Sequence, residues 1–430
     1  MPMKRYREVF RLAIPNILSN ISVPLIASVD TGLMGHLSSA HLAAVGSSAM
    51  IFNFLYWNFG FLRMGTTGFV AQAYGRKDQQ GMTKSFLQAV IVAMVISLFL
   101  LILQSPLSQL SFQLLNLDGE LQSLASSYFN TRIWDAPATL LLYIMMAWFF
   151  GNQNAIIPLI LTVCINISNI SLSILFVKQM DMGIHGVALG SVIANYIGVT
   201  IGLIFMWYRY PLIRMKWQDL KTDYSKFFAV NRDIFLRTFL LSITFAFLYS
   251  QAAQFGTIIL ATNVIVLQFT NWMSYAIDGF AYAAEALVGK YKGAQDKLKN
   301  TDTIRACFVS GAVFAGIFSL VYGLWLDEIT ALFTDRIEVQ QSIQNYKYWI
   351  IFFPILGFAS YIWDGIFVGL TASRAMRNTM IIAFIIFIAT HYLTVSSWGY
   401  HGLLCALAVY LLGRSLAQTY VFWKAGFELR

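Results

Sequence analysis

Residues 85–108 read SFLQAVIVAMVISLFLLILQSPLS, a stretch without one charged side chain. A helix crossing the hydrocarbon core of a bilayer needs about 20 apolar residues, so this run is long enough to span. Eleven more apolar runs accompany it, near 12–35, 42–73, 121–150, 155–177, 184–208, 234–259, 262–288, 304–326, 341–370, 379–395 and 400–423. None shows the in–out alternation of a membrane β-barrel strand, which makes helices the spanning elements. The expected fold is an all-α polytopic membrane protein of twelve transmembrane helices.

Composition excludes the competing classes. Of 430 residues, 58% are hydrophobic, 16% aromatic and 11% charged, whereas a soluble protein carries about 25% charged residues. Disorder is excluded for the same reason. The net charge of +9 is dispersed along the chain, which speaks against nucleic acid as a partner. Cys164, Cys307 and Cys405 all fall inside expected spans and spell neither a disulfide framework nor a metal motif. The first run follows Lys4, Arg5, Arg7 and Arg11 but continues to Gly35 without a small-residue cleavage site, and is read as a retained helix.

The basic residues write a topology. Twenty-four of the 29 fall on one side, including seven from Arg209 to Arg237, five from Lys290 to Arg305, and Arg414, Lys424 and Arg430. The opposite loops hold Lys178 and Arg336, while Arg63, Arg132 and Lys347 lie within or beside spans. The positive-inside rule places both termini in the cytoplasm.

The chain also repeats itself. Gly183-Ile184-His185-Gly186 recurs as Gly399-Tyr400-His401-Gly402, Gly65 and Gly75 match Gly279 and Gly289, and Pro137 matches Pro354, all at offsets of 214 to 217. Two parallel six-helix lobes follow, 1–208 and 232–430, joined by a polar linker at 209–231. Such a pair is the plan of a transporter whose central cleft opens alternately to either side.

Ionisable groups inside spans are costly and therefore informative. Asp30 sits in a first run that also holds Pro15 and Pro24, each able to bend it. A carboxylate in a low-dielectric site is suited to proton exchange. On the fifth run Asn166, Asn169 and Ser173 share a face, and Ser191 and Asn195 repeat the four-residue spacing on the sixth. They suit either a cation or proton network, or interhelical hydrogen bonding. Tyr275, Asp278, Tyr282 and Glu285 form one face of the eighth run, and Asp364 lies near Tyr361 on the tenth. Acidic and aromatic groups together attract organic cations, although a structural role for each carboxylate stays open. Arg63, Arg132 and Asp135 read as a neutralised structural cluster.

No GxxxxGK[ST] loop, HExxH or GxSxG occurs, so an ATPase of that type and a membrane-embedded hydrolase lack their machinery. An ion gradient must drive any pumping, and no cofactor is expected.

Three stretches carry a family resemblance: Ser28-Val29-Asp30-Thr31-Gly32-Leu33-Met34-Gly35-His36-Leu37, the run from Gly60 to Ala71-Gln72-Ala73-Tyr74-Gly75, and Asp278-Gly279-Phe280-Ala281-Tyr282-Ala283-Ala284-Glu285-Ala286-Leu287-Val288-Gly289, with Trp363-Asp364-Gly365 beside them. The chain resembles the multidrug and toxic compound extrusion (MATE) transporters, and their DinF-type branch in particular. The resemblance implies two six-helix lobes around a V-shaped cleft, and cation-driven efflux of amphipathic, often cationic compounds. It maps the family's coupling aspartate onto Asp30, its asparagine onto Asn169 and a polar site onto Ser191. Met34 joins the candidate cleft residues. Members often carry an aspartate where Ser173 stands here, which tilts the expected coupling ion from Na⁺ to H⁺. The expected protein is a monomer in a bacterial inner membrane, in contact with lipid. The nearest rival is a lipid-linked precursor flippase, which needs a cationic cleft, whereas the charges placed inside the spans lean acidic.

Overall fold

The computed structural model describes residues 2–35, 38–210 and 223–426, excluding the side chains at 2, 23–28, 30–32 and 35. Among the described residues every regular element is a helix. The first half holds α1 (Pro2–Gly35), α2 (Ser39–Phe59), α3 (Phe61–Gly75), α4 (Gln79–Ile102), α5 (Gln104–Leu114), α6 (Gly119–Arg132), α7 (Ala136–Gly151), α8 (Ile156–Ile174) and α9 (Gly183–Arg209). The second holds α10 (Ser225–Ala253), α11 (Thr257–Gly293), α12 (Lys297–Leu324), α13 (Leu326–Phe333), α14 (Ile337–Asn345), α15 (Lys347–Gly369), α16 (Ser373–Trp398) and α17 (Tyr400–Ala425).

Ten helical segments among the described residues are long and apolar enough to cross a membrane. The two remaining expected runs are helical as well. Residues 12–35 lie in α1, and 42–73 breaks at Gly60, whose N–H turns back to the Trp57 carbonyl at 3.1 Å and separates α2 from α3. The apolar stretch at 85–108 also ends sooner than expected, with α4 stopping at Ile102 and α5 carrying Pro106 in its first turn. Leu98, Phe99 and Ile102 of α4 are more than half exposed. Such an apolar surface suits contact with lipid, and with ten helical segments of spanning length and apolarity the protein is a multi-pass membrane protein.

The chain packs as two compact units, Leu18–Phe227 and a second made of Phe228–Arg430 with Met1–Ile17. The start of α1, expected within a lobe of residues 1–208, thus packs with the second unit. The reason is local: Gly279 of α11 has no Cβ where the Ile17 side chain and the Ala13 carbonyl approach, and the Phe10 ring meets Phe280 edge-on at 5.6 Å.

The internal repeat reappears in the backbone. Left-handed residues end equivalent helices at Lys77 and Gln295 and again at Gln153 and Thr371, each pair separated by 218 positions. At each, an N–H reaches back five residues, from Asp78 to Ala73, Asp296 to Tyr291, Asn154 to Phe149 and Ala372 to Phe367, at 2.8 to 3.0 Å. Asp78 and Asp296 then cap the next helix, accepting from the N–H of Gly81 and Lys299.

Close backbone contact holds each unit together. In the second, Gly365 and Gly369 of α15 bring that helix onto the carbonyls of Ala281 and Glu285 in α11. In the first, Gly151 of α7 packs on Val70 and Ala71 of α3, while Gly186 and Gly190 of α9 meet Phe176 and Ser173. Small residues allow membrane helices this approach, where dispersion and hydrogen bonds replace the hydrophobic effect as the cohesive force. The three cysteines are unbridged.

Candidate functional site

Helix α8 carries a polar stripe. Thr162, Asn166, Asn169 and Ser173 recur at intervals of four, three and four, which keeps them on one face, and all four are buried. Thr162 Oγ1 accepts from Ser19 Oγ at 2.8 Å, and Asn166 Nδ2 donates to the Ser22 carbonyl at 3.2 Å and to Ser22 Oγ at 3.0 Å. The stripe therefore holds the middle of α1. Further along, Asn169 Nδ2 donates to Ser191 Oγ of α9 at 2.8 Å. Asn169 Oδ1 and Ser173 Oγ, both sealed from solvent, find no partner among the described residues. An amide oxygen can accept from a proton donor or ligate a cation, and a serine hydroxyl can also donate; leaving such a buried atom unsatisfied costs about 1–3 kcal/mol. A π-helical turn, Leu175–Gln179, follows at once; such turns interrupt the backbone ladder and accompany functional sites.

Asp30 lies in α1, but its side chain is outside the described residues. Ser19 and Ser22, which tie this helix to α8, had escaped the sequence reading. Their spacing on α1 is unremarkable, and only the facing stripe gives it meaning.

Asn195 does not join the Asn169 group. It donates to Asp135 Oδ1 at 2.7 Å and lies 3.3 Å from Thr139 Oγ1. Asp135, fully buried, also pairs with Arg132 and accepts from Thr139 Oγ1 at 2.8 Å. The Arg132 guanidinium sits 5.8 Å from the centre of the Phe52 ring. Asp135 and Arg132 are thus paired, with Asn195 hydrogen-bonded to the same carboxylate. Arg63 is half-buried in α3, its carbonyl accepting from Thr67. Met34, expected at a cleft, is instead fully buried in the hydrophobic core with Phe52, Tyr56 and Phe129, because the aromatic residues of α2 and α6 close over it.

In the second unit, Tyr275, Asp278 and Tyr282 are half-buried on one face of α11, while Glu285 is buried at 1% exposure where Gly369 packs. Asp364 departs furthest from expectation. Its Oδ2 pairs with both Arg237 of α10 and Arg414 of α17, and its Oδ1 accepts from Gln418 Nε2 at 2.9 Å. A carboxylate gripped by two guanidinium groups is not an open cation site. Arg237 and Arg414, counted among the cytoplasmic basic residues, are buried inside spanning helices. With them the acidic lean inside the spans narrows to five carboxylates against four arginines, which weakens the charge argument against an anionic cargo. Tyr361 stands next to this group, its ring centre 5.9 Å from the Arg414 guanidinium. No cluster of three or more metal-ligating side chains occurs among the described residues.

Comparison with known proteins follows the same lines. The MatE family model matches twice, over residues 15–175 and 234–393. DNA damage-inducible protein F of Escherichia coli is 35% identical over 428 residues, covering 98% of this chain and 93% of that one. A probable multidrug resistance protein, NorM of Thermotoga maritima, is 24% identical over 77% of this chain and 73% of its own. Among solved structures, a variant of the Vibrio cholerae MATE transporter VcmN superposes with a TM-score of 0.88 at 19% identity, covering 100% of this chain and 99% of that chain.

Proposed function

The chain belongs to the MatE family, and from that footing we propose that it is a secondary active exporter, exchanging external H⁺ for amphipathic organic compounds, many of them cationic. The observation that carries the reading is the α8 stripe. It fastens α1 through Ser19 and Ser22 and leaves Asn169 Oδ1 and Ser173 Oγ without partners among the described residues. Asp30 lies about three helical turns beyond Ser19 on the same helix, at 3.6 residues per turn. In this proposal Asp30 is the proton carrier, and Asn169, Ser173 and Ser191 form the polar surroundings in which α1 changes state.

Coupling requires that proton and cargo prefer different states. Ionised Asp30 favours the cargo-competent state, and its protonation from outside weakens cargo binding and repacks α1. Ser173 supplies a neutral oxygen where family members often have a carboxylate, so the site has one anionic ligand fewer for Na⁺. H⁺ is the favoured ion for that reason. The orientation has both termini in the cytoplasm of a bacterial inner membrane. Removing Arg237 and Arg414 from the cytoplasmic set leaves twenty-two basic residues there against two opposite.

Asp30→Asn tests the reading. At equal expression, cells carrying it are expected to lose proton-coupled efflux of a fluorescent organic cation. Unimpaired coupled efflux would remove Asp30 from the mechanism.

A further inference from the structure

The Arg237–Arg414 pair in the second unit contributes nothing to the reading above. Both guanidinium groups and the Asp364 carboxylate between them are at least nine-tenths buried. An arginine presents Nε and Nη2 side by side on one edge, the edge that grips a carboxylate or phosphate through two parallel hydrogen bonds. Here each arginine gives Asp364 Oδ2 only its Nη2. Both Nε atoms remain buried without an acceptor among the described residues. One oxygen therefore bridges two forks, and each fork is half used. Arg414 Nη2 finds one further weak acceptor, the Ser360 carbonyl at 3.4 Å.

The charges agree with the hydrogen bonds. Two guanidinium groups face one carboxylate in direct contact, and Arg237 feels a second carboxylate, Asp278, through space. Tyr361 and Tyr410, both near Arg237, supply polar groups without formal charge. The contact shell is one negative charge short, in a low-dielectric setting where a missing counter-charge is costly. Lysines would not create this arrangement, because an ammonium has no planar edge to leave half engaged.

We propose that the Arg237–Arg414 fork is an oxyanion site that takes a carboxylate or phosphate group borne by an amphipathic molecule. Asp364 is its resident internal anion. The entering group engages the two free Nε–H donors, and Asp364 yields part of its hold on the Nη2 atoms. Gln418, whose amide donates to the other carboxylate oxygen, Oδ1, keeps Asp364 in place as the group enters. Cargo of the protein then includes anionic or zwitterionic amphiphiles, which a purely acidic site would repel. This site lies wholly within the second unit and is independent of Asp30.

The test measures binding rather than transport, so its outcome is separate from that of the efflux assay. Dodecyl phosphate is titrated into the full-length protein in a non-ionic detergent and followed by calorimetry, with dodecanol as the uncharged control and inorganic phosphate as competitor. Native protein is expected to bind dodecyl phosphate and not dodecanol. Arg414→Gln is expected to weaken binding at least about tenfold, the order expected for a lost charge-assisted fork. Asp364→Asn is expected to tighten it, because the fork loses its internal competitor; a merely misfolded variant does not gain affinity. Displacement by inorganic phosphate identifies the anion as the recognised part, and failure to displace identifies the amphiphile as a whole; either supports the site. Equal affinity in native protein, Arg414→Gln and Asp364→Asn would overturn it, as would absence of binding to both native protein and Asp364→Asn.

Discussion

Asn169 and Asn195 show how one side-chain type is put to two uses. Asn195 donates its amide to a fully buried carboxylate, Asp135, whereas the carbonyl oxygen of Asn169 has no partner among the described residues. Asn195→Ala is therefore expected to lower stability by about 1 kcal/mol, the usual worth of an interhelical hydrogen bond in a membrane. Thermal unfolding in detergent reads that loss, and the choice of coupling ion should stay as it was. Ser173→Asp has the opposite profile. It restores an anionic oxygen beside Asn169, and vesicles containing it are expected to respond to a Na⁺ gradient; no response would separate Ser173 from ion choice. Asn166, Asn169 and Ser173 of the α8 stripe were legible because they are three or four residues apart on one helix, whereas Thr162 gained its place only through Ser19. The fate of Asp364 was not, since its partners stand 127 and 50 positions away and their helices look equally plausible as ends of cytoplasmic runs.

Helix packing and capping carry predictions of their own. Gly365→Ala drives a methyl group into the Ala281 carbonyl and is expected to cost about 1–3 kcal/mol, the range for overpacking. Gly316→Ala, on α12 where a Cβ meets open space, serves as the neutral comparison, and the two unfolding temperatures should separate. At the α11–α12 turn, hydrogen bonds from the Lys299 side chain and then its backbone N–H hold the Asp296 carboxyl below the usual carboxylate range. A lowered folded-state pKa means that the cap's contribution is present above the unfolded pKa and disappears as pH falls through the folded value. Hydrogen exchange at 297–300, corrected for intrinsic rates and followed from about pH 6 to about pH 3, should lose protection only at the acid end, below a free aspartate's titration near about 3.9. Asp296→Ala should lack that protection throughout. Helix existence was readable from apolar length, whereas the break at Gly60 was not, because a glycine in the right-handed region resembles any interior residue until its neighbours show the turn.

For the whole molecule, low charge and long apolar runs were enough to identify a membrane solvent, and recurring glycines exposed a duplicated plan. The two matches of the MatE model and the paired left-handed turns describe that duplication independently. The assignment of Met1–Ile17 to the second unit was hidden, because apolar pattern tells which face of a helix is buried and not which bundle buries it. The same limit applied to charge: five spanning carboxylates were visible, but two of the arginines that share their interior were read as topology.

The central claim is that proton flow through the first unit drives export. Purified protein in liposomes, loaded with a fluorescent organic cation and subjected separately to a pH gradient and to a Na⁺ gradient, tests it most directly. Dye movement under the pH gradient, abolished in Asp30→Asn and absent under Na⁺ alone, is the predicted result. Movement driven only by the Na⁺ gradient would contradict it.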